Sequence, residues 1–161
     1  MYLGRISILR KERKLRQVDL ASLLHTTQEQ YSRYECGDRQ LPLHHLATLA
    51  NFNRVSADYI VELTGERKPY RPKEASAEAS ASPLLALRRE RGLTQAQVGK
   101  MLGILRNQYG RYDAGERPIP LKHLIALAKF YKAPADYMLG LTDEREPHER
   151  TIWVSPSDEM R

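Results

Sequence analysis

The sequence has little of what stabilises small secreted or membrane-bound proteins. It holds one cysteine, Cys36, among 161 residues, so no internal disulfide can form. No apolar run reaches the length of about 18 residues that spans a bilayer. The start of the chain carries Arg5 and Arg10 where a signal peptide would have an apolar core. These absences predict a cytoplasmic protein with no membrane partner and no disulfide framework.

The patterns that carry catalysis or metal binding are also absent. The sequence contains no glycine-rich phosphate loop, no Cys-x-x-Cys pair and no nucleophile elbow. His44 and His45 are adjacent on a predicted helix and therefore point to different faces, whereas a helical metal pair needs a spacing of about four residues. We expect no enzymatic activity, no metal site and no cofactor.

Basic residues exceed acidic ones, with 26 Lys and Arg against 20 Asp and Glu, for a formal net charge of +6. This excess favours a polyanionic partner. By itself it does not distinguish a nucleic acid from an acidic protein.

The chain contains one unit twice. A shift of 78 positions aligns Leu9–Pro69 with Leu87–Pro147 without a gap, and 28 of the 61 pairs are identical. This self-similarity predicts a duplicated domain, each copy with a small core. The predicted boundaries are a first domain at 1–66, a linker at 67–82, a second domain at 83–143 and a tail at 144–161.

Each copy is predicted to form five short helices and no strand, because apolar residues recur at helical spacing and Gly or Pro separates the segments. The fold class is therefore all-α. In the first copy the helices are expected at about Ile6–Lys14, from Gln17 to the turn at His25, at Gln28 to Gly37, from Pro42 and after Ser56. In the second copy they are expected at Gln95–Leu102, Arg106–Ala114, Pro120–Tyr131 and Ala135–Leu141.

The two copies differ at helix boundaries. Thr27 and Ser56 can cap helices in the first copy, whereas Leu105 and Pro134 occupy the equivalent positions in the second. Conversely, Lys14 and His25 of the first copy stand where the second has glycine, which predicts some backbone strain.

Two segments have compositions unlike the domains. Residues 67–82 are rich in Pro, Ala, Ser and Glu, which predicts a linker that builds no core. The tail is charged except for Ile152-Trp153-Val154, an apolar patch that suits core packing and contact with a protein partner equally well.

The stretch from Gln28 to Gly37 returns as Arg106 to Gly115. Tyr31 and Tyr34 lie three residues apart on one helical face, and polar side chains occupy the opposite face. A preceding helix and a three-residue turn complete a helix-turn-helix, the arrangement that places a helix in the major groove of DNA.

Both copies resemble the helix-turn-helix domain of the phage repressor and Cro family, the xenobiotic-response-element type, over Leu9–Thr64 and Leu87–Thr142. The resemblance is carried by the Gln that opens helix two, the Arg-Tyr-Glu/Asp-x-Gly run and the Pro that opens helix four. It implies two tandem five-helix domains of the lambda-repressor type.

The resemblance also implies roles for individual residues. The positions that match base-contacting ones are Gln28, Glu29, Ser32, Arg33, Arg106, Asn107, Gly110 and Arg111. The positions that match phosphate-contacting ones are Gln17 and Gln95, and Arg39 and Arg117 are further phosphate candidates. The pairs that match the ion pair between helices one and three are Arg10 with Glu35 and Arg88 with Asp113.

The two recognition helices differ in sequence, so their half-sites should differ. Arg106 replaces Gln28, and Asn107 replaces Glu29. Glu29 adds a repulsive charge in the first copy, so the second copy should bind DNA more strongly.

The sequence therefore predicts a nucleoid-associated transcriptional regulator, a repressor that binds double-stranded DNA in a sequence-specific manner. Homodimerisation through helix five or the tail is left open. The competing hypothesis is a protein-interaction module, like an antitoxin or antirepressor scaffold, with reduced DNA binding.

Overall fold

The computed structural model of the chain describes residues 2–73 and 82–149. All regular structure in these two ranges is α-helical, which confirms the predicted class and five helices in each copy. The first copy contains α1 (Gly4–Glu12), α2 (Gln17–Leu23), α3 (Gln28–Cys36), α4 (Leu43–Asn53) and α5 (Ala57–Ile60). The second contains α6 (Pro83–Glu90), α7 (Gln95–Leu102), α8 (Arg106–Asp113), α9 (Leu121–Tyr131) and α10 (Ala135–Met138).

Several predicted helix bounds were wrong by a few residues: α1 begins at Gly4 and not at Ile6, α8 ends at Asp113 and not at Ala114, and α9 begins at Leu121 and not at Pro120. At two further ends the backbone gives the reason. Helix α1 ends at Glu12 and not at Lys14, because Lys14 adopts a left-handed conformation with a φ of 56°. Helix α10 ends at Met138 and not at Leu141, because Gly140 has a φ of 74°. Left-handed residues cannot continue a right-handed helix.

The capping differences between the copies occur as predicted. The Thr27 hydroxyl accepts a hydrogen bond from the Gln30 backbone N–H at 3.2 Å. The Ser56 hydroxyl accepts one from the Tyr59 N–H at 3.0 Å. Leu105 and Pro134 stand at the same positions of α8 and α10 and supply no such bond. The first copy therefore has the better-capped recognition helix.

The recognition helices each contribute a fully buried tyrosine. Tyr31 and its counterpart Tyr109 are each 0% exposed and belong to the cluster of buried apolar residues that also includes Leu46 and Leu124 of the fourth helices. Burial, and then the charge of Glu35, raise the pKa of the Tyr31 phenol. The recognition helices are thus anchored through their inner faces, which leaves their outer faces free for contact.

The two copies pack against each other through α5 and α10. The segment after α5 also takes part, since the Tyr70 side chain is only 7% exposed. The prediction that residues 67–82 build no core was therefore wrong at Tyr70, an aromatic residue that is buried between the copies, whereas residues 67–69, 71 and 72 are exposed. Residues 74–81 and the Ile152-Trp153-Val154 patch lie outside the described residues, and the domain boundaries stay a prediction.

Candidate nucleic-acid interface

Each copy presents a recognition helix after a short turn. In the first copy α2 is followed by the turn from Leu24 to Thr27 and then by α3. In the second copy the turn between α7 and α8 is Gly103-Ile104-Leu105. In both copies the two helices pack closely on each other. This is the geometry in which the second helix can enter a major groove.

The outward face of α3 is exposed but is internally neutralised. Gln28, Glu29 and Arg33 are exposed, and Ser32 is half-buried. The guanidinium of Arg33 donates a hydrogen bond to the Glu29 carboxylate at 2.9 Å, one helical turn away. An approaching DNA chain would therefore meet an ion pair on this face and not an unopposed cation.

The outward face of α8 carries two arginines that form no ion pair within the described part of the chain. Arg106, Asn107 and Arg111 are exposed, and Gly110 is half-buried. Neither guanidinium forms an ion pair with any residue in the described ranges. The face of α8 thus has a net positive charge, whereas the face of α3 has none.

The glutamines that open α2 and α7 are half-buried, and the amide nitrogen of each donates a hydrogen bond to a buried carboxylate. The Nε2 of Gln17 donates to the Glu35 carboxylate at 3.0 Å, and the Nε2 of Gln95 donates to Asp113 at 3.3 Å. Each amide nitrogen has a second hydrogen, so a phosphate contact remains chemically available. A β-carbon at Gly110 would lie 3.3 Å from the Gln95 Oε1, so this glutamine lies directly beside the recognition helix.

A buried ion pair joins the first and third helices of the first copy. The Nε of Arg10 lies 2.6 Å from the Oε1 of Glu35, and the Nη1 of Arg10 donates to the Leu15 carbonyl at 2.9 Å. Burial disfavours the charged carboxylate, but hydrogen bonds from Arg10 and Gln17 prevail and hold the pKa of Glu35 below its ordinary value.

The second copy repeats this arrangement. The Nη2 of Arg88 lies 3.0 Å from the Oδ2 of Asp113, and its Nη1 donates to the Leu93 carbonyl at 2.8 Å. The Asp113 side chain is only 2% exposed. These pairs fix the recognition helices relative to α1 and α6, and the shorter Asp113 keeps the same bond as Glu35.

The two remaining phosphate candidates follow the recognition helices. Arg39 and Arg117 are both exposed, and the backbone N–H of each donates to the carbonyl of the recognition-helix arginine of its own copy, at 3.3 Å. The Arg39 side chain also donates to the Gln30 Oε1 at 3.1 Å. The backbone of each arginine is therefore bonded to the C-terminal end of its own recognition helix. Their phosphate contact stays a prediction.

Sequence reasoning missed the residues that join the copies. They are Asp58 and Asp136 at the start of the fifth helices, and Tyr70 and His148 after them. The only available signal was the run Ala-Asp-Tyr, which occurs unchanged at 57–59 and 135–137. An acidic residue at a helix N-terminus is common on protein surfaces, so this run does not by itself indicate an interface.

Two turn-linked helix pairs, each with an exposed polar helix held by a buried ion pair, define a tandem helix-turn-helix protein. The family model described as "Helix-turn-helix", of the Cro/C1 type, matches residues 6–60 and again 84–138. The chain belongs to this family, whose members are DNA-binding transcription regulators. No helix in the part of the chain that the structure describes is long and apolar enough to cross a membrane.

A similar protein is known from Bacillus subtilis (strain 168), the "Uncharacterized HTH-type transcriptional regulator YobD". It is 41% identical to this chain over 64 residues, which are 40% of this chain and 57% of the relative. The chain thus spans little more than half the length of that relative. No solved structure matches the chain.

Proposed function

We propose that this chain is a repressor that binds double-stranded DNA by inserting α3 and α8 into the major groove. The observation that carries the proposal is that both helices present an exposed polar face while a buried ion pair fixes each to its own copy. A rigidly held helix can place side chains against base edges at little entropic cost. The protein would act at the nucleoid in the cytoplasm.

The side chains on the two faces are chemically suited to base contacts. Arg33, Arg106 and Arg111 can each donate two hydrogen bonds to a guanine, and Gln28 or Asn107 can bind adenine through paired bonds. Glu29 can accept from cytosine once DNA displaces it from Arg33. Ser32 and Gly110 leave room for close approach at the equivalent position. The four phosphate candidates would set the register of each helix on the duplex.

The half-sites should contribute unequally to affinity. Before Arg33 contacts a base, its 2.9 Å bond with Glu29 has to be broken or rearranged, and Glu29 repels nearby phosphates. Arg106 and Arg111 face no such competition. The second copy therefore supplies the larger share of the binding free energy, and the first copy adds discrimination.

Repression is the regulatory direction that needs the least additional machinery. A protein that occupies a promoter with two helices blocks access to it without contacting the transcription apparatus. A reporter gene placed behind the selected operator tests this direction. Lower expression in the presence of the protein supports repression, and higher expression would refute it.

Selection of bound duplexes from a random DNA pool at near-physiological salt tests the function. A sequence-specific regulator enriches defined half-sites, and binding of the best duplex to Arg111→Ala should weaken by about 1–3 kcal/mol. The loss for Arg33→Ala should be smaller, because this residue gives up its bond to Glu29. Arg67→Ala is the matched control, since this exposed arginine pairs with Glu12 of α1 and not with a residue of a recognition helix. Weak binding that salt abolishes, with no enrichment, would refute sequence-specific recognition.

A second candidate is a protein-interaction scaffold with reduced DNA binding. It is favoured by the neutralised face of α3 and by Leu105, which is 78% exposed at the start of α8. The double variant of Arg33 and Arg111 separates the two functions. A regulator loses its operator, whereas a scaffold keeps its protein partner and shows no operator to lose.

A further inference from the structure

The fifth helices of the two copies cap each other. The Asp136 carboxylate accepts hydrogen bonds from the backbone N–H groups of Ala57 and Asp58, at 2.8 and 3.1 Å. In return, the Asp58 carboxylate accepts from the backbone N–H of Ala135 at 2.8 Å. Because residues 57 and 58 correspond to 135 and 136, each copy gives its partner the contact that it receives.

A second contact pairs two residues that are themselves counterparts. Tyr70 corresponds to His148 under the shift of 78, and their rings stack with centroids 4.1 Å apart and an angle of 13°. The Tyr70 hydroxyl donates to the Asp58 carboxylate at 2.8 Å and accepts from the His148 N–H at 3.0 Å. A residue that contacts its own counterpart lies on the symmetry axis, so the axis passes between these rings.

The segments after the fifth helices cross from one copy to the other. The Thr64 hydroxyl donates to the Glu149 carbonyl at 2.5 Å, and the Lys73 N–H donates to the Leu141 carbonyl at 2.9 Å. Each segment also pairs with its own copy, Arg67 with Glu12 and the equivalent Arg145 with Glu90, but these ion pairs are exposed and contribute little to stability. The hydrogen bonds that cross between the copies therefore hold them in one mutual arrangement.

Reciprocal contacts of this kind define a two-fold relation, in which residue i meets j and j meets i. A head-to-tail relation would bring different surfaces together and would not pair Tyr70 with its own counterpart. The same rotation that relates α5 to α10 also relates α3 to α8, because these helices belong to equivalent packed copies. The two recognition helices are consequently related by a local two-fold axis.

We infer that a single chain acts as an intramolecular dimer whose operator consists of two unlike half-sites in inverted orientation at one fixed spacing. The inference rests on the proposed function, because it specifies the DNA that the two helices would bind. The two-fold axis of the docked copies would coincide with the local dyad of the duplex, as for a symmetric dimer on a palindrome. A flexible tandem protein would instead accept direct repeats and variable spacings.

Selection from random DNA with the intact chain gives distinguishable outcomes. The inference predicts that the enriched duplexes carry two different half-sites, inverted, at a single spacing, with one chain bound per duplex. Direct repeats, or several spacings, would overturn it while leaving sequence-specific binding intact. Absence of any enrichment would refute both the proposed function and the predicted operator. Gel filtration of the cleaved chain would then still test whether the two copies dock.

Affinity measurements on the selected operator test the fixed spacing. Insertion of about five base pairs turns one half-site to the opposite side of the duplex. Wild type should then lose roughly 100-fold or more in affinity, since only one half-site can be occupied. The double variant Tyr70→Ala with His148→Ala should lose much less on insertion and should accept several spacings. An equal loss for this variant and wild type would refute the role of the stack.

The matched control carries Arg67→Ala and Arg145→Ala, which remove equivalent contacts within the copies and leave the stacked pair unchanged. It should keep the spacing preference of wild type. Circular dichroism checks that both double variants are folded.

Cleavage of the connecting segment gives a test that needs no substitution at the interface. A protease site inserted within residues 74–81 allows the full chain to be cut while both copies are folded. The halves should remain together in gel filtration at about micromolar concentration, with the mass of one chain. Separation of the halves, or a mass of two chains before cutting, would overturn the intramolecular dimer.

Discussion

Three left-handed backbone positions make an internal stability experiment possible. Lys14, His25 and Glu62 have φ values of 56°, 53° and 65° in the first copy. The second copy has glycine at each equivalent position, and Gly92, Gly103 and Gly140 have φ values of 63°, 71° and 74°. The conformation is thus required by the fold, and only the residue type differs. We expect glycine to stabilise the first copy at all three positions.

The expected magnitude follows from two opposing contributions. A residue with a β-carbon in the left-handed region costs about 1–2 kcal/mol. Glycine adds about 0.4–1 kcal/mol of conformational entropy to the unfolded chain, which offsets part of the gain. The net stabilisation is about 0.5–1 kcal/mol for each substitution. Lys14→Gly, His25→Gly and Glu62→Gly together should therefore add about 2 kcal/mol, or about 4–8 °C in Tm for a chain of this size.

The reverse exchange isolates the backbone contribution. No heavy atom lies within 4 Å of a β-carbon built at Gly92, Gly103 or Gly140, so a side chain meets no steric obstacle there. Gly92→Lys, Gly103→His and Gly140→Glu should together destabilise the chain by about 2 kcal/mol. Arg54 and Lys132 supply the control pair, because both are left-handed and neither copy has glycine there. Their substitution by glycine should give equal stabilisation.

Urea unfolding followed by circular dichroism measures all of these changes. Stabilisation by the three glycines with a matching loss from the reverse exchange would establish the conformational origin. If the glycine variants were less stable than wild type, the side chains of Lys14, His25 or Glu62 would be making contacts that outweigh the backbone cost, and the reasoning would be refuted.

Two further predictions concern buried charges. Arg88→Ala leaves the carboxylate of Asp113 buried without its guanidinium, so the free energy of unfolding should fall by about 3–5 kcal/mol in urea titrations. Much of the loss should return when Asp113→Leu is added, and a loss unchanged by that addition would contradict the explanation. Burial raises the pKa of Asp136 to about 6 from an ordinary 3.8. The folded state then binds the proton of the Asp136 carboxyl group more tightly than the unfolded state does. The resulting stabilisation is at its maximum below about pH 4 and is lost as the pH rises through 6. On acidification from about pH 7.5 to 5, the free energy of unfolding of wild type should rise by on the order of 1–2 kcal/mol relative to that of Asp136→Asn. Burial lowers the pKa values of His45 and His123, which has the opposite effect on stability. Both proteins contain these histidines, so their effect cancels in the comparison. Parallel pH profiles for the two proteins would refute the assignment.

The elements and their caps could be predicted because their causes are local. Each of these signals depends on residues no more than four positions apart. They are the helical spacing of apolar residues, the prolines before α4 and α9, and the capping hydroxyls of Thr27 and Ser56. The polar face of α3 opposite Tyr31 and Tyr34 likewise follows from one helical repeat. Helix ends were harder to predict, since Lys14 adopts the left-handed conformation that glycine usually supplies at the end of a helix, and a lysine does not indicate it.

The docking of the copies could not be predicted, because it depends on contacts about 78 residues apart. Asp58 and Asp136 look like ordinary acidic residues at helix N-termini, and only the fold brings each to the N-terminus of the other helix. Tyr70 belongs to a stretch whose average composition indicates a linker. The average composition of residues 67–82 gives no indication of a single aromatic side chain, although the burial of Tyr70 brings the first half of this stretch against the two copies.

Divergence between the copies changes the predicted DNA-contacting faces and leaves the reciprocal cap between the fifth helices intact. The run Ala57-Asp58-Tyr59 is unchanged in the second copy, so both sides of the reciprocal cap persist. By contrast, three of the four predicted base-contacting positions differ, and only the arginine at 33 and 111 is common to both. If the proposed function is correct, two symmetrically docked copies therefore carry recognition helices of different specificity. A homodimer on a palindrome has no preferred direction, whereas this chain would bind an operator in one direction only, with the unopposed arginines of α8 on the stronger half-site.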